Sequence, residues 1–241
     1  MRIVATIAQL TATGDEQGIQ LHQLITGSVS DGGAHAIDVE SGVPFGDGIV
    51  RVTVTESDDA EWTLAIRIPD WSTSPTLSVC GDDQQAIAPD ADGYVRVRRS
   101  WAEGDTVVMR TNPEFAIVAA DPRIDAVRGE RAIVRGPIVY CVEGDDLGDA
   151  TIDAVRIPSE PRVRATTLDW LDVPGAEAEL AFVPLPPVSG APYSVQPSDE
   201  APAAERSVPL VPYFAWGNRG ATTMRVWLPQ AATTTTPSSS K

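Results

Sequence analysis

Lysine is almost absent from this chain. Of its eighteen Lys and Arg residues only Lys241 is lysine, and the other seventeen are arginine, which reads as codon usage more than chemistry. Thirty-four Asp and Glu residues set against them give a formal net charge of −16. Nucleic acid and anionic membrane surfaces would be repelled, so neither is expected as a partner, and solubility is the economical reading of the charge. Cysteine and histidine number two each, Cys80, Cys141, His22 and His35, at no metal-ligand spacing, so a zinc site built from this chain alone is not expected. Cys80 and Cys141 each end an apolar run and read as small buried hydrophobes. No apolar run is long enough to span a bilayer, and no basic-then-apolar segment opens the chain, which favours the cytoplasm for a chain starting here. Also lacking are a glycine-rich phosphate loop, a Gly-x-Ser-x-Gly elbow and a His-Glu-x-x-His helix. The adjacent carboxylates Asp58-Asp59, Asp82-Asp83 and Asp145-Asp146 fall in turns and read as solvated caps rather than as a glycosidase pair.

What is present is period two. Val50, Val52 and Val54 alternate with Arg51, Thr53 and Thr55, and Trp62, Leu64, Ile66 and Ile68 with Thr63, Ala65 and Arg67. Ile19, Leu21 and Ile25 mark an earlier strand, and Leu77 with Val79, Val95 with Val97 and Val107 with Met109 continue the pattern between turn clusters such as Asp90-Ala91-Asp92-Gly93. Short, regularly punctuated strands predict an antiparallel sandwich over 18–112. A second sandwich is predicted over 113–229, with strands at 115–119, 132–134, 137–142, 152–157, 179–183 and 223–228. Residues 184–206, rich in Pro, Ser, Ala and acid, read as a long exposed loop, and the Ala/Thr/Ser tail 230–241 as disordered. The one helix expected is at 2–13, where Ile3, Ile7 and Leu10 share a face and Gly14-Asp15 supplies the stop. It has no N-cap, so residues 1–17 look cut from a longer helical structure.

One stretch breaks the alternation. Pro212-Tyr213-Phe214-Ala215-Trp216-Gly217-Asn218-Arg219-Gly220 packs three aromatics, two glycines and an arginine between the apolar runs 208–211 and 223–228. It predicts a structured loop closing the last β-domain, with Tyr213 and Trp216 filling the domain end and Asn218 and Arg219 holding the turn by hydrogen bonds. Among the six tryptophans, Trp62 is in phase with the core, and Trp227 sits at an apolar strand end. Trp71, Trp101 and Trp216 are the candidates for an exposed platform on which a sugar ring could stack.

Three motifs in order carry a family resemblance. Leu64-Ala-Ile-Arg-Ile-Pro-Asp-Trp71 with Gly93-Tyr-Val-Arg-Val-Arg-Arg-Ser-Trp101 and Glu103-Gly-Asp105, then Arg135-Gly-Pro-Ile-Val-Tyr-Cys-Val-Glu143, then Val211 to Gly220 followed by Met224-Arg-Val-Trp227, resemble the C-terminal β region of glycoside hydrolase family 127, the β-L-arabinofuranosidases. The sequence departs from the family pattern at Gln20, Leu24 and Asp70. The resemblance implies that residues 1–13 are the last helix of an (α/α)6 barrel. It also implies that the family's zinc site of three cysteines and one glutamate, with a cysteine nucleophile, belongs to a part of the enzyme upstream of Met1. Cys80 and Cys141 match none of those ligands, so no catalytic, metal-binding or substrate-binding residue is carried over to this chain.

The fold expected is therefore mainly β, two antiparallel β-sandwich domains preceded by one barrel helix. The function expected is that of the non-catalytic C-terminal domains of an enzyme that removes terminal β-L-arabinofuranosyl residues, inactive alone and without a cofactor of their own. Two alternatives belong to other classes. One is a free-standing carbohydrate-binding module, and the other a structural domain docking on a catalytic partner chain. The implied partner is the α/α-barrel catalytic domain, with self-association through the apolar stripe of Ile3, Ile7 and Leu10 as the alternative.

Overall fold

Alternation dictates where this chain is extended. The computed structural model, which describes residues 6–58, 60–185 and 204–232, places strands at most of the predicted positions. Two units result, Met1–Glu114 and Phe115–Lys241.

The first unit holds ten strands: β1 Ala12–Asp15, β2 Gly18–Leu21, β3 Gly27–Ser30, β4 Ala36–Ser41, β5 Ile49–Glu56, β6 Glu61–Arg67, β7 Thr76–Val79, β8 Gln85–Ala86, β9 Tyr94–Ser100 and β10 Thr106–Arg110. They form a four-stranded sheet, β1-β2-β6-β9, and a six-stranded sheet, β3-β4-β5-β10-β7-β8. The inward residues Ile19, Leu21, Leu64 and Ile66 of the first sheet share one buried cluster with Ile37, Val52, Val107 and Met109 of the second. Each such side chain contributes on the order of 1.5–3 kcal/mol over its exposed state. Most pairs are antiparallel, but β2 and β6 run parallel, Ile19 opposite Leu64. The chain leaves the small sheet after β2, builds β3 to β5 in the other sheet and returns, and a return of that kind permits the parallel pairing that a hairpin forbids.

Two expectations for this unit are corrected. The helix predicted over 2–13 is, within the described residues, a single 3-10 turn at Ile7–Leu10 followed by strand β1. Residues 12–15 pair instead with 18–21, Ala12 opposite Leu21, so sheet pairing overrides a weak helical pattern that no cap supports. Ile3 lies outside the described residues, while Ile7 and Leu10 are exposed. Cys80, predicted buried, is also exposed. The chain reverses at 79–82, where the Asp82 N–H donates to the Val79 carbonyl at 3.0 Å and both central residues have positive φ, +52° at Cys80 and +85° at Gly81. That is the twist-compatible hairpin turn, and it lifts Cys80 out of the strand's alternation.

The second unit contains β11 Phe115–Ala119, β12 Glu130–Arg135, β13 Ile138–Glu143, β14 Val155–Arg156, β15 Val163–Thr166, β16 Gly175–Phe182, β17 Ala204–Pro212, β18 Met224–Arg225 and β19 Leu228–Pro229. Their main path is β11-β12-β13-β17-β16-β14, with β15 beside β16, β18 beside β13 and β19 beside β12. Strand β13 is the hub. Its first residues pair with β12, Tyr140 and Cys141 with β17, and Val142 and Glu143 with β18. Residues 204–206, read from composition as loop, begin β17, whose pairing with β16 runs from Phe182 opposite Ala204 to Ala176 opposite Leu210. Most of the segment 184–206 and most of the tail 230–241 lie outside the described residues. Strand β15 was not anticipated, because Val163-Arg164-Ala165-Thr166 has too little apolar content to signal one. Both units are β-sandwich domains.

Trp101 shows how the first unit closes. It is 1% exposed, donates its indole N–H to the Trp62 carbonyl at 3.1 Å and stacks on the Trp62 ring at 5.5 Å. The His35 ring covers the Trp62 ring at 4.8 Å, and the Arg99 guanidinium covers Trp101 at 5.3 Å. Replacing Trp101 with alanine should cost about 3–5 kcal/mol, the range for emptying a buried aromatic site. A urea titration followed by circular dichroism should then show a lower midpoint for the transition of this unit, and an unchanged midpoint would contradict the packing.

Candidate functional site

The densest polar cluster in the second unit is built at the end of β13. On that strand Ile138, Tyr140 and Val142 belong to the main core, whereas Cys141 joins a smaller cluster with Val211 and Ala215. Glu143 follows on the Cys141 side and is 0% exposed, so its carboxylate requires partners. They come from the aromatic loop. Arg219 donates to Glu143 from Nε at 3.2 Å and, more closely, from Nη2, and it donates to Asp146 at 2.8 and 2.6 Å. The Gly217 backbone N–H donates to the other Glu143 oxygen at 2.7 Å. Gly217 has φ +75°, a conformation a side chain would strain, and it is this conformation that accompanies the N–H aimed at the carboxylate. The ring of Trp170 underlies the guanidinium at 4.7 Å. Next to this cluster, Thr222 donates to Asp145 at 3.0 Å. Asp146, and after it Glu143, hold the Arg219 guanidinium charged above its ordinary range.

This cluster is a latch rather than an acid–base pair. Both carboxylates are committed to one guanidinium. The latch holds the 3-10 turn Tyr213–Ala215, of which only Ala215 is buried. Tyr213 and Trp216 were expected to fill the domain end; they are instead 48% and 42% exposed. Burial of Val211 and Ala215 fills the space beneath them. Asn218 is exposed and forms none of the hydrogen bonds recorded among the described residues, so the turn is held by Arg219 and the Gly217 backbone. Asp146, expected as a solvated cap, is instead half of the ion-pair network.

Of the three tryptophans considered for a sugar platform, Trp101 is interior, Trp71 in the first unit is half-buried, and Trp216 in the second is 42% exposed. What the second unit does offer is an open groove of about 600 Å³ on the face of the sheet that carries Val139, lined among others by Glu130, Tyr213, Met224, Arg225 and Trp227.

Comparison with known proteins places this architecture. Residues 18–112 match the family model described as "Beta-L-arabinofuranosidase, GH127 middle domain", and residues 115–229 match "Glycoside hydrolase family 127 C-terminal domain". The chain belongs to glycoside hydrolase family 127. It is 27% identical to a non-reducing end beta-L-arabinofuranosidase of Bifidobacterium longum, over 94% of this chain and 35% of that protein. A GH127 beta-L-arabinofuranosidase from Geobacillus stearothermophilus T6 superposes with a TM-score of 0.82 at 28% identity, covering 95% of this chain and 36% of that one. A further solved structure described as a glycoside hydrolase gives a TM-score of 0.81 at 26% identity, covering 96% and 39%. The chain thus spans about a third of the length of these relatives and corresponds to the family's middle and C-terminal domains.

The zinc that the family resemblance implies does not fit the residues present. Cys80 lies in an exposed turn of the first unit, with the Arg99 guanidinium 3.2 Å from its sulfur. Cys141 is in the second unit and donates to the Val211 carbonyl at 3.4 Å; burial pushes its thiol up to about 12, so it is not the thiolate a metal requires. The nearest carboxylates, Glu143 and Asp146, are taken by Arg219. Among the described residues no group of three or more His, Cys, Asp and Glu side chains is placed to hold a metal. Family 127 zinc chemistry is therefore not assigned to these two domains.

Breaking the latch from one side should be more damaging than dissolving it. Arg219→Met leaves the Glu143 carboxyl buried without its guanidinium partner and next to Asp146, and should destabilise the second unit by about 3–5 kcal/mol. Glu143→Gln keeps an acceptor for Gly217 and should cost less. In a double-mutant cycle read by urea unfolding, the pair should recover part of the loss, and strict additivity would refute the coupling.

Proposed function

We propose that this chain forms the non-catalytic β-domains of a glycoside hydrolase that removes terminal β-L-arabinofuranosyl residues, and that the two units do no hydrolysis by themselves. The observation that carries the reading is the commitment of Glu143, the only fully buried carboxylate among the described residues, to Arg219 and Gly217. Together with the match to the family's middle and C-terminal domains, this supports a supporting rather than a chemical role. The partner in the proposal is the catalytic domain of a family 127 enzyme. Its contact on the first unit is the patch where Ile7, Leu10 and Ile25 are exposed, beside an open groove of about 420 Å³ lined in part by Ile7, Thr11, Ile25 and Val29. Large side chains gathered on one face mark an interaction surface more often than scattered ones do. The relatives supply the length of chain that would cover it, since about two-thirds of each lies outside the matched part.

An aryl β-L-arabinofuranoside incubated with the purified chain, with and without added zinc, should release no aglycone above the buffer rate. Zinc-dependent turnover would overturn the proposal. Mixed with a separately expressed family 127 catalytic domain, the chain should co-elute with it, and Leu10→Asp should weaken that association. A chain that scatters light as a clean monomer and ignores the catalytic domain would count against the proposed contact.

A further inference from the structure

The groove beside the aromatic loop has a composition that the latch and the proposed docking patch leave unused. Its lining includes the apolar Val139, Met224 and Val226 and two aromatic side chains, Tyr213 and Trp227. Two charged groups of opposite sign complete it. Arg225 reaches Asp153 at 3.3 Å, which leaves other donors of its guanidinium uncommitted. The Glu130 carboxylate has no ion pair or hydrogen bond among the described residues. A cleft of this kind, mostly apolar with a few polar groups, is the usual form of a small-molecule site, and about 600 Å³ lies within the usual range.

From this geometry we propose that the groove is a binding subsite for a neutral saccharide, with Tyr213 and Trp227 meeting the C–H face of a sugar ring and Glu130 and Arg225 taking its hydroxyls. A sugar ring presents a patch of C–H groups, which suits the negative face of an aromatic ring, and hydroxyls that both donate and accept. Glu130 can only accept and Arg225 can only donate, so together they serve both roles of a hydroxyl. The opposite charges balance locally, and the net charge of −16 disfavours an anionic glycan. The walls are also pre-formed. Glu130 pairs with Pro229, and Arg225 with Val142, in regular ladders. Tyr213 stands on the turn that Glu143 and Arg219 fix, so little ordering is left to be done on binding. The site holds no pair of free carboxylates across the cleft, so it binds without cutting. The proposal rests on the glycoside hydrolase reading only for the choice of sugar.

The test is a titration of the full chain with β-linked arabinobiose, linear arabino-oligosaccharides, xylo-oligosaccharides and oligogalacturonate, followed by NMR and tryptophan fluorescence. A neutral oligosaccharide should bind saturably, and the oligogalacturonate should bind more weakly. Tyr213→Ala should lower affinity roughly tenfold or more, and Glu130→Gln by a smaller factor, with the circular dichroism spectrum unchanged. Trp216→Ala does not touch the groove lining and should leave affinity within about twofold. Saturation by xylo- but not arabino-oligosaccharides would support the subsite while counting against the arabinofuranosidase reading. No saturation by any neutral probe into the tens of millimolar, or binding that survives Tyr213→Ala combined with Glu130→Gln, would overturn the proposal.

Discussion

A carboxylate buried at the end of β13 constrains the second unit more than any single apolar contact. A buried carboxyl without partners would cost several kcal/mol, so Glu143 depends on Arg219 and the Gly217 N–H. That requirement fixes the path of the chain after β17. The loop must turn back within reach of β13, Gly217 must adopt a left-handed conformation, and Trp170 must lie flat beneath the guanidinium. The exposed aromatics follow from the same constraint. With Arg219 held against Glu143 and Ala215 buried, Tyr213 and Trp216 are carried outward on the same short turn, where they are available to a ligand or partner instead of to the core.

The first unit meets its constraint differently. Its interior is mostly apolar, and two of the polar groups that enter it are paired with backbone carbonyls. The Trp101 N–H finds the Trp62 carbonyl, and the Thr111 hydroxyl finds the Gly48 carbonyl at 2.9 Å. These bonds join positions 39 and 63 residues apart, so they close the sandwich across its sequence-distant edges. The most buried contact of this kind among its described residues is His35 with Asp31 at 2.7 Å, and others, such as Arg96 with Asp90 and Asp92, lie at partly exposed positions. Pairs of that sort contribute little to stability, so packing, not charge, determines this unit.

The fold was legible where it depended on local alternation. Val50 to Val54 and Trp62 to Ile66 are strands in the places their patterns indicate, because an inward–outward period of two survives in any sandwich. Legibility failed where a distant partner decided the outcome. Residues 12–15 have a weak helical pattern, yet β2 captures them. Residues 204–206 have a loop's composition, yet seven successive pairs with β16 hold that end of β17 extended. Cys80 sits in an apolar phase, yet a two-residue turn rotates it out. For the site, the aromatic loop was visible as a break in the alternation, but its carboxylate partner lies 76 residues away, and a single Glu closing an apolar run carries no sign of what it faces. The same limit explains Trp101. Its motif is readable, but whether it stacks inward on Trp62 or outward on a sugar depends on the neighbouring strand.

Family membership and the latch together separate two questions that a sequence motif merges. The segment from Val211 to Gly220 marks the chain as family 127, but its most constrained atoms, the guanidinium of Arg219 and the N–H of Gly217, are spent on Glu143 and cannot also perform chemistry. Arg219 is more useful to the domain the less available it is to a substrate. A residue free to act must instead be one that the fold does not need. By that criterion Glu130, whose carboxylate has no ion pair or hydrogen bond among the described residues, and Tyr213, which is carried outward by the turn, are groups on this unit with binding capacity to spare. Tyr213 reaches the groove because of the latch, since the turn that buries Ala215 also carries Tyr213, whereas Glu130 is set there by the pairing of β12 with β19.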